Sequence, residues 1–106
     1  MIDKKIYKDL SEKITLKIVQ VGTDKTNFKI LKTLPTSIES IMRETGLTKV
    51  PVNSRMNQLE KVGLAKRWRG TGRIVLTDLG EYFIDMIETG EEMVKGRIED
   101  IIKKII

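Results

Sequence analysis

The chain has 106 residues, 33% of them charged, with 20 Lys/Arg against 15 Asp/Glu and a formal net charge of +5. Cysteine and histidine are both absent, which removes disulfide frameworks, thiolate metal sites and the commonest general base; neither a cofactor nor an enzymatic activity is expected. No apolar run approaches the roughly 18 residues of a membrane span, and Met1-Ile2-Asp3-Lys4-Lys5 has no signal-peptide core, so one soluble, cytoplasmic domain with appended helices is expected.

Residues 1–22 place Ile6, Leu10, Ile14, Ile18 and Val21 at spacings that suit one helix face. Ile14, Leu16 and Ile18 also alternate as a strand would, with β-branched residues at 18, 19 and 21, so 14–21 reads either way. Gly22-Thr23-Asp24 breaks this segment and offers a cap to a helix over about 24–34, with Phe28, Leu31 and Leu34 on one face. Pro35 stops that helix. Thr36-Ser37-Ile38-Glu39 matches a capping box for a short helix bearing Ile38, Ile41 and Met42, which Gly46 closes in the left-handed conformation. Leu47 follows as a buried turn residue. Thr48 then caps a third helix over 48–63, where Pro51 is tolerable because it falls in the first turn, and Gly63 ends it. Leu64 to Trp68 and Arg73 to Thr77 form the arms of a hairpin tipped by Gly70 and Gly72, which can take positive φ without a Cβ clash. Asp78-Leu79-Gly80-Glu81 starts a last helix, softened at Gly90 and Gly96.

Charge is polarised along this order. Residues 48–77 carry Lys49, Arg55, Lys61, Lys66, Arg67, Arg69 and Arg73 against Glu60 alone, while residues 78–106 hold eight acids against four bases. A basic patch beside an acidic tail suggests an oriented polyanion site. In helix 48–63, Val52, Met56, Leu59 and Gly63 make the core stripe. Val50, Ser54, Asn57, Gln58 and Lys61 fall opposite, with Asn53, Arg55 and Pro51 on the flanks. Such a face is rich in amides rather than in Glu/Lys pairs. Asn and Gln pair bidentately with adenine in the major groove, and Arg with guanine. A short helix, a glycine turn and a second polar helix make a helix-turn-helix, whose second helix sits in the groove.

With those residues in view, Asp24 to Gly80 resembles a winged helix-turn-helix of the kind found in MarR-like, PadR-like and ArsR-like regulators. The matching features are Asn27-Phe28-Lys29-Ile30-Leu31, the turn Glu44-Thr45-Gly46-Leu47-Thr48, the run Met56 to Leu64, and Val75-Leu76-Thr77-Asp78-Leu79-Gly80 at the strand-to-helix junction. Pro51 stands where those families more commonly carry Ser or Thr. The resemblance implies that helix 48–63 enters a major groove and the 65–77 hairpin reaches the adjacent backbone or minor groove. The expected fold is therefore mainly α with a small β-hairpin wing (α+β), residues 23–77 forming the winged domain between terminal helices 1–22 and 78–106. The expected DNA contacts are Lys49, Val50, Asn53, Ser54, Arg55, Asn57, Gln58 and Lys61 on the helix, and Lys66, Arg67, Arg69, Thr71 and Arg73 in the wing. Alternation turns Ile74 and Leu76 inward and Arg73, Val75 and Thr77 outward. Trp68 packs on the hairpin, meets DNA sugars or touches a partner subunit. The reading requires the loop cations and the helix amides to share one side of the molecule.

From Leu79 on, Phe83, Ile87, Gly90, Val94, Arg97 or Ile98, Ile101 and Ile105 recur at spacings of three and four, close to a heptad seam. A second copy is the simplest cover for so long a stripe, since most homo-oligomers are twofold dimers; the alternative is that the stripe folds back onto its own domain. The dimer candidates are Ile6, Leu10, Phe83, Ile87, Val94, Ile98, Ile101 and Ile105. The expected function is a homodimeric, sequence-specific double-stranded DNA-binding transcriptional regulator. A winged-helix protein-interaction module and a non-specific architectural DNA binder are the alternatives. No membrane partner is expected, and no residue points to an effector ligand.

Overall fold

The computed structural model describes residues 3–106, so the first two residues of the expected N-terminal helix lie outside the described residues. The elements run α1 (Lys4–Gly22), α2 (Lys25–Thr33), β1 (Thr36–Ser37), α3 (Ile38–Thr45), α4 (Lys49–Lys61), β2 (Ala65–Arg67), β3 (Arg73–Leu76) and α5 (Asp78–Ile105). The fold is mainly helical, with a small antiparallel sheet ordered β1-β3-β2, a winged-helix-like α+β layout. Residues 14–21 are helical. Among the described residues the single sheet, β1-β3-β2, is complete without them, so their alternation finds no strand to pair with.

Caps explain most boundaries. Asp3 accepts from the Lys5 amide at α1, and Asp24 accepts from the Asn27 amide at α2 (3.0 Å). At α3 the cap is Ser37, whose hydroxyl accepts from the Ser40 amide, rather than the expected Thr36. Thr36 is instead drawn into β1, opposite Ile74 across the ladder, and the helix start shifts by one. Thr48 occupies the N-cap of α4 but makes no side-chain cap bond. A cap hydroxyl normally accepts from the second or third helical amide, and Pro51, at the third position, has none to give. Gly46 closes α3 at φ 73°, as expected. Gly63, at φ 83°, closes α4 in a Schellman arrangement: its amide reaches the Glu60 carbonyl and the Leu64 amide reaches that of Leu59.

The core comprises Ile30, Leu31, Leu34, Ile41, Val52, Met56, Leu59, Leu64, Ala65, Ile74 and Phe83. All of it comes from the segment α2 to the first turns of α5. Leu47, expected to be buried, is half-buried against this core. On α2 the buried phase is Asn27, Ile30, Leu31 and Leu34; Phe28 sits at its margin, its ring edge-on to Phe83 at 6.4 Å. Thr77 ties the end of α4 to the start of α5. Its hydroxyl accepts from the Gly80 amide and bonds the Gly63 carbonyl, while its amide reaches Leu64. That junction is tight: a Cβ at Gly80 would stand 2.1 Å from the Leu64 carbonyl oxygen. Gly22 serves a similar need where α1 crosses α5, since a Cβ there would meet the Phe83 ring at 2.5 Å.

Beyond that crossing the two terminal helices leave the core. The radius of gyration is 16.9 Å, against roughly 13 Å for a compact domain of this length. Helix α5 runs on without a break through Gly90 and Gly96. Every residue from Glu91 onward is exposed.

Candidate nucleic-acid interface

Three faces of α4 meet three surroundings. Val52, Met56 and Leu59 are fully buried and anchor the helix. The flank towards α1 and α2 carries Arg55 and Gln58. Arg55 bonds the Asp24 carboxylate at 2.6 Å and the Asn27 side-chain oxygen at 3.1 Å. Asn27, 1% exposed, donates in turn to the Val21 carbonyl and, at 3.3 Å, to Gln58 Oε1. The buried amide is thus fully engaged, as burial demands. It joins the end of α1, the start of α2 and the flank of α4. The Asn27 amide donating to Asp24 holds that carboxyl below its ordinary value; partial burial opposes this and the Arg55 charge reinforces it.

The opposite flank faces the hairpin. Arg67 reaches across from β2, donating to Asn53 Oδ1 (3.0 Å), the Asn53 carbonyl (3.2 Å) and Asn57 Oδ1 (2.7 Å). Its Nε lies 2.6 Å from Glu60 Oε1 without the alignment of a hydrogen bond, so that contact is ionic. These contacts set the angle between wing and helix. They also change two expectations. Arg67, expected on phosphate, is a clamp within the protein. Asn53 and Asn57 have their carbonyl oxygens occupied, and a bidentate pair with adenine needs that oxygen as well as the amide. Arg55 and Gln58 are likewise committed to internal partners.

The third face is open. Lys49, Val50, Ser54, Asn57 and Lys61 are exposed there, Val50 at 79%. A bare valine methyl on a polar helix face matches what a thymine methyl contacts. Lys49, Lys61, Lys66, Arg69 and Arg73 form no ion pair among the described residues.

The hairpin divides its own side chains. The register pairs Ala65 with Leu76, Lys66 with Val75 and Arg67 with Ile74, and the Trp68 amide meets the Arg73 carbonyl. Ala65, Arg67, Ile74 and Leu76 therefore share the inner face, and Lys66, Trp68, Arg73 and Val75 the outer one. Arg69, Gly70, Thr71 and Gly72 make the exposed tip, with Gly70 at φ 90° and Gly72 at φ 67°. The expected single side is only partly realised: Arg67 joins the helix amides, whereas Lys66 and Arg73 share a face with the exposed indole. Thr77, expected outward, is half-buried as the α5 cap.

Among the expected dimer contacts, Phe83 is 2% exposed and belongs to the domain's own core, with Ile87 half-buried against it. Ile6, Leu10, Val94, Ile98, Ile101 and Ile105 are exposed, and no described element covers them. The residues that sequence reasoning missed are Asn27 and Glu60, which organise the two flanks, and Arg43, which faces the hairpin's outer side. Asn27 carried a readable signal, being in phase with Ile30, Leu31 and Leu34. No described helix is long and apolar enough to cross a membrane. No family model matches the chain, and no curated protein proves similar to it.

Proposed function

We propose that the protein is a cytoplasmic, homodimeric, sequence-specific double-stranded DNA-binding transcriptional regulator of winged helix-turn-helix type. The observation that carries this reading is the open face of α4: Val50, Ser54 and Lys61 lie exposed on a helix whose two flanks are held by internal bonds. The helix would enter a major groove while Arg69 and Thr71 at the wing tip and Lys66 and Arg73 on its strands meet phosphates. With no ion-pair partner among the described residues, Lys66, Arg69 and Arg73 keep their full charge for counterion release. The exposed apolar seam of α5 and the Ile6–Leu10 face of α1 support a twofold dimer, and hence a near-palindromic site.

Duplexes selected from a random pool test the proposal. Alanine at Arg69 together with Arg73 should weaken binding to every sequence and flatten the salt slope by about 0.9 per lost phosphate contact. Alanine at Ser54 or Val50 should relax base preference with little change in that slope. Equal duplex affinity of wild type and the wing variant would refute the reading.

A sequence-independent architectural binder is the second reading. It is favoured by the internal commitment of Arg55, Gln58, Asn53 and Asn57, which leaves few free groups for base edges. Competitor titration separates the two: unrelated duplex displaces an architectural binder as well as selected duplex does.

A further inference from the structure

On the outer side of the hairpin, β1, the start of α3 and β3 border an open groove of about 800 Å³, lined among others by Ser37, Ser40, Arg43, Trp68, Thr71 and Arg73. That volume is within the ~300–1,000 Å³ of small-ligand clefts. Its chemistry is distinctive. Trp68 is the only tryptophan of the chain and lies 58% exposed. Two guanidiniums, Arg43 and Arg73, face the groove without ion-pair partners among the described residues, and no carboxylate lines it. The remaining polar lining is hydroxyl. An exposed indole at one edge of the groove, with Arg73 beside it on the central strand and Arg43 on α3, across β1, matches a base stacked on the indole and phosphates held bidentately next to it. An acidic peptide fits less well. The adjacent edge strand β1 has only two residues, too short for strand addition.

We propose that this groove binds a strand of unpaired nucleic acid, one base stacking on Trp68 with its flanking phosphates on Arg43 and Arg73. The site lies on the hairpin face turned away from α4 and shares Thr71 and Arg73 with the proposed duplex contacts, so Arg43 and Trp68, which the duplex reading does not use, are the residues that test it.

Trp68 is its own reporter. Titrating the full chain with a deoxythymidine oligomer of about eight nucleotides, within the usual site sizes of single-strand binders, should quench its emission in a saturable, salt-sensitive way. Arg43→Ala should weaken the binding about tenfold, and Trp68→Leu, followed by anisotropy of labelled oligomer, by roughly 5- to 150-fold. Trp68→Phe should recover part of that loss, because a smaller ring still stacks. Absence of quenching, or an Arg43→Ala variant binding as wild type does, overturns the proposal. So does quenching by polyglutamate as strong as by the oligomer, which would assign the groove to an acidic protein. Thymidine monophosphate binding as tightly as the oligomer also overturns it, in favour of a free nucleotide. Retained quenching with no duplex binding would remove the duplex function and leave this site standing.

Discussion

Replacing Arg67 by methionine separates a clamp from a phosphate contact. The variant keeps most of the aliphatic stem and deletes the guanidinium, which makes three hydrogen bonds to Asn53 and Asn57 and an ion pair with Glu60. Summing four interactions would overstate the loss. The Arg67 and Glu60 side chains are 30% and 35% exposed, so the released acceptors rehydrate. The expected destabilisation is about 1–2 kcal/mol, which in a domain of this size lowers the melting temperature by roughly 5–15 °C. Thermal unfolding is followed by circular dichroism at one fixed protein concentration, since coupling to assembly would otherwise shift the midpoint. In parallel, duplex affinity is measured from low to moderate salt. Because the guanidinium is spent inside the protein, the slope of log affinity against log salt should match wild type, whereas Arg69→Ala should reduce it by about 0.9. An Arg67→Met protein with an unchanged melting temperature and a flattened salt slope would show that Arg67 lies on phosphate, and the clamp argument would fail.

Glycine substitutions should sort by what surrounds them. Gly80→Ala drives a methyl into the Leu64 backbone carbonyl and should cost about 3 kcal/mol or more in urea unfolding, whereas Gly22→Ala meets the Phe83 ring and should cost about 1–3. Gly96→Ala, with open space around it, should stabilise by roughly 0.5–1 kcal/mol; a loss there would contradict the exposed, continuous α5. Asp24→Asn keeps the helix cap but loses the charge facing Arg55, at a cost below about 1 kcal/mol near neutrality. Because the folded carboxyl titrates below its ordinary 3.8, its contribution is complete above that value and fades as pH falls through the lowered one. The gap between wild type and variant should therefore close on acidification below about pH 4, and a gap that widened would reverse the assignment. Ile101→Asp should move the sedimenting species from twice the 12.2 kDa chain mass to one chain. A wild-type protein already sedimenting as one chain would dispose of the seam.

Much of the architecture was readable from short stretches. Gly46 and Gly63 close their helices as Cβ-free residues at positive φ, and the tip glycines flank Thr71 where the hairpin turns. What misled was local too, but incomplete. Thr36 looked like a cap because nothing in its neighbourhood announces that Ile74 will pair with it. Gly22 ends α1 as expected, but nothing near it in the chain signals the phenyl ring from α5 that also requires a residue without a Cβ there. Phe83 fitted the heptad seam by spacing, yet its first turns on α5 lie over Gly22 and Phe28, so the core takes it.

The division between the two sources of information follows from the reach of the interactions. Helix periodicity, caps and turn glycines depend on residues within about four positions of one another, and all of these lie side by side in the sequence. The partners of Arg55, Gln58 and Arg67 do not: their hydrogen bonds join residues 10 to 31 positions apart, and the Arg67–Glu60 ion pair spans the turn between α4 and β2. Only folding decides which cation meets an acid and which stays free in solvent, because that choice depends on distances the linear order leaves open. The sequence by itself determined where positive charge and amides occur; the tertiary structure decided that Arg55 and Arg67 hold the scaffold while Lys49, Lys61, Arg69 and Arg73 form no ion pair among the described residues.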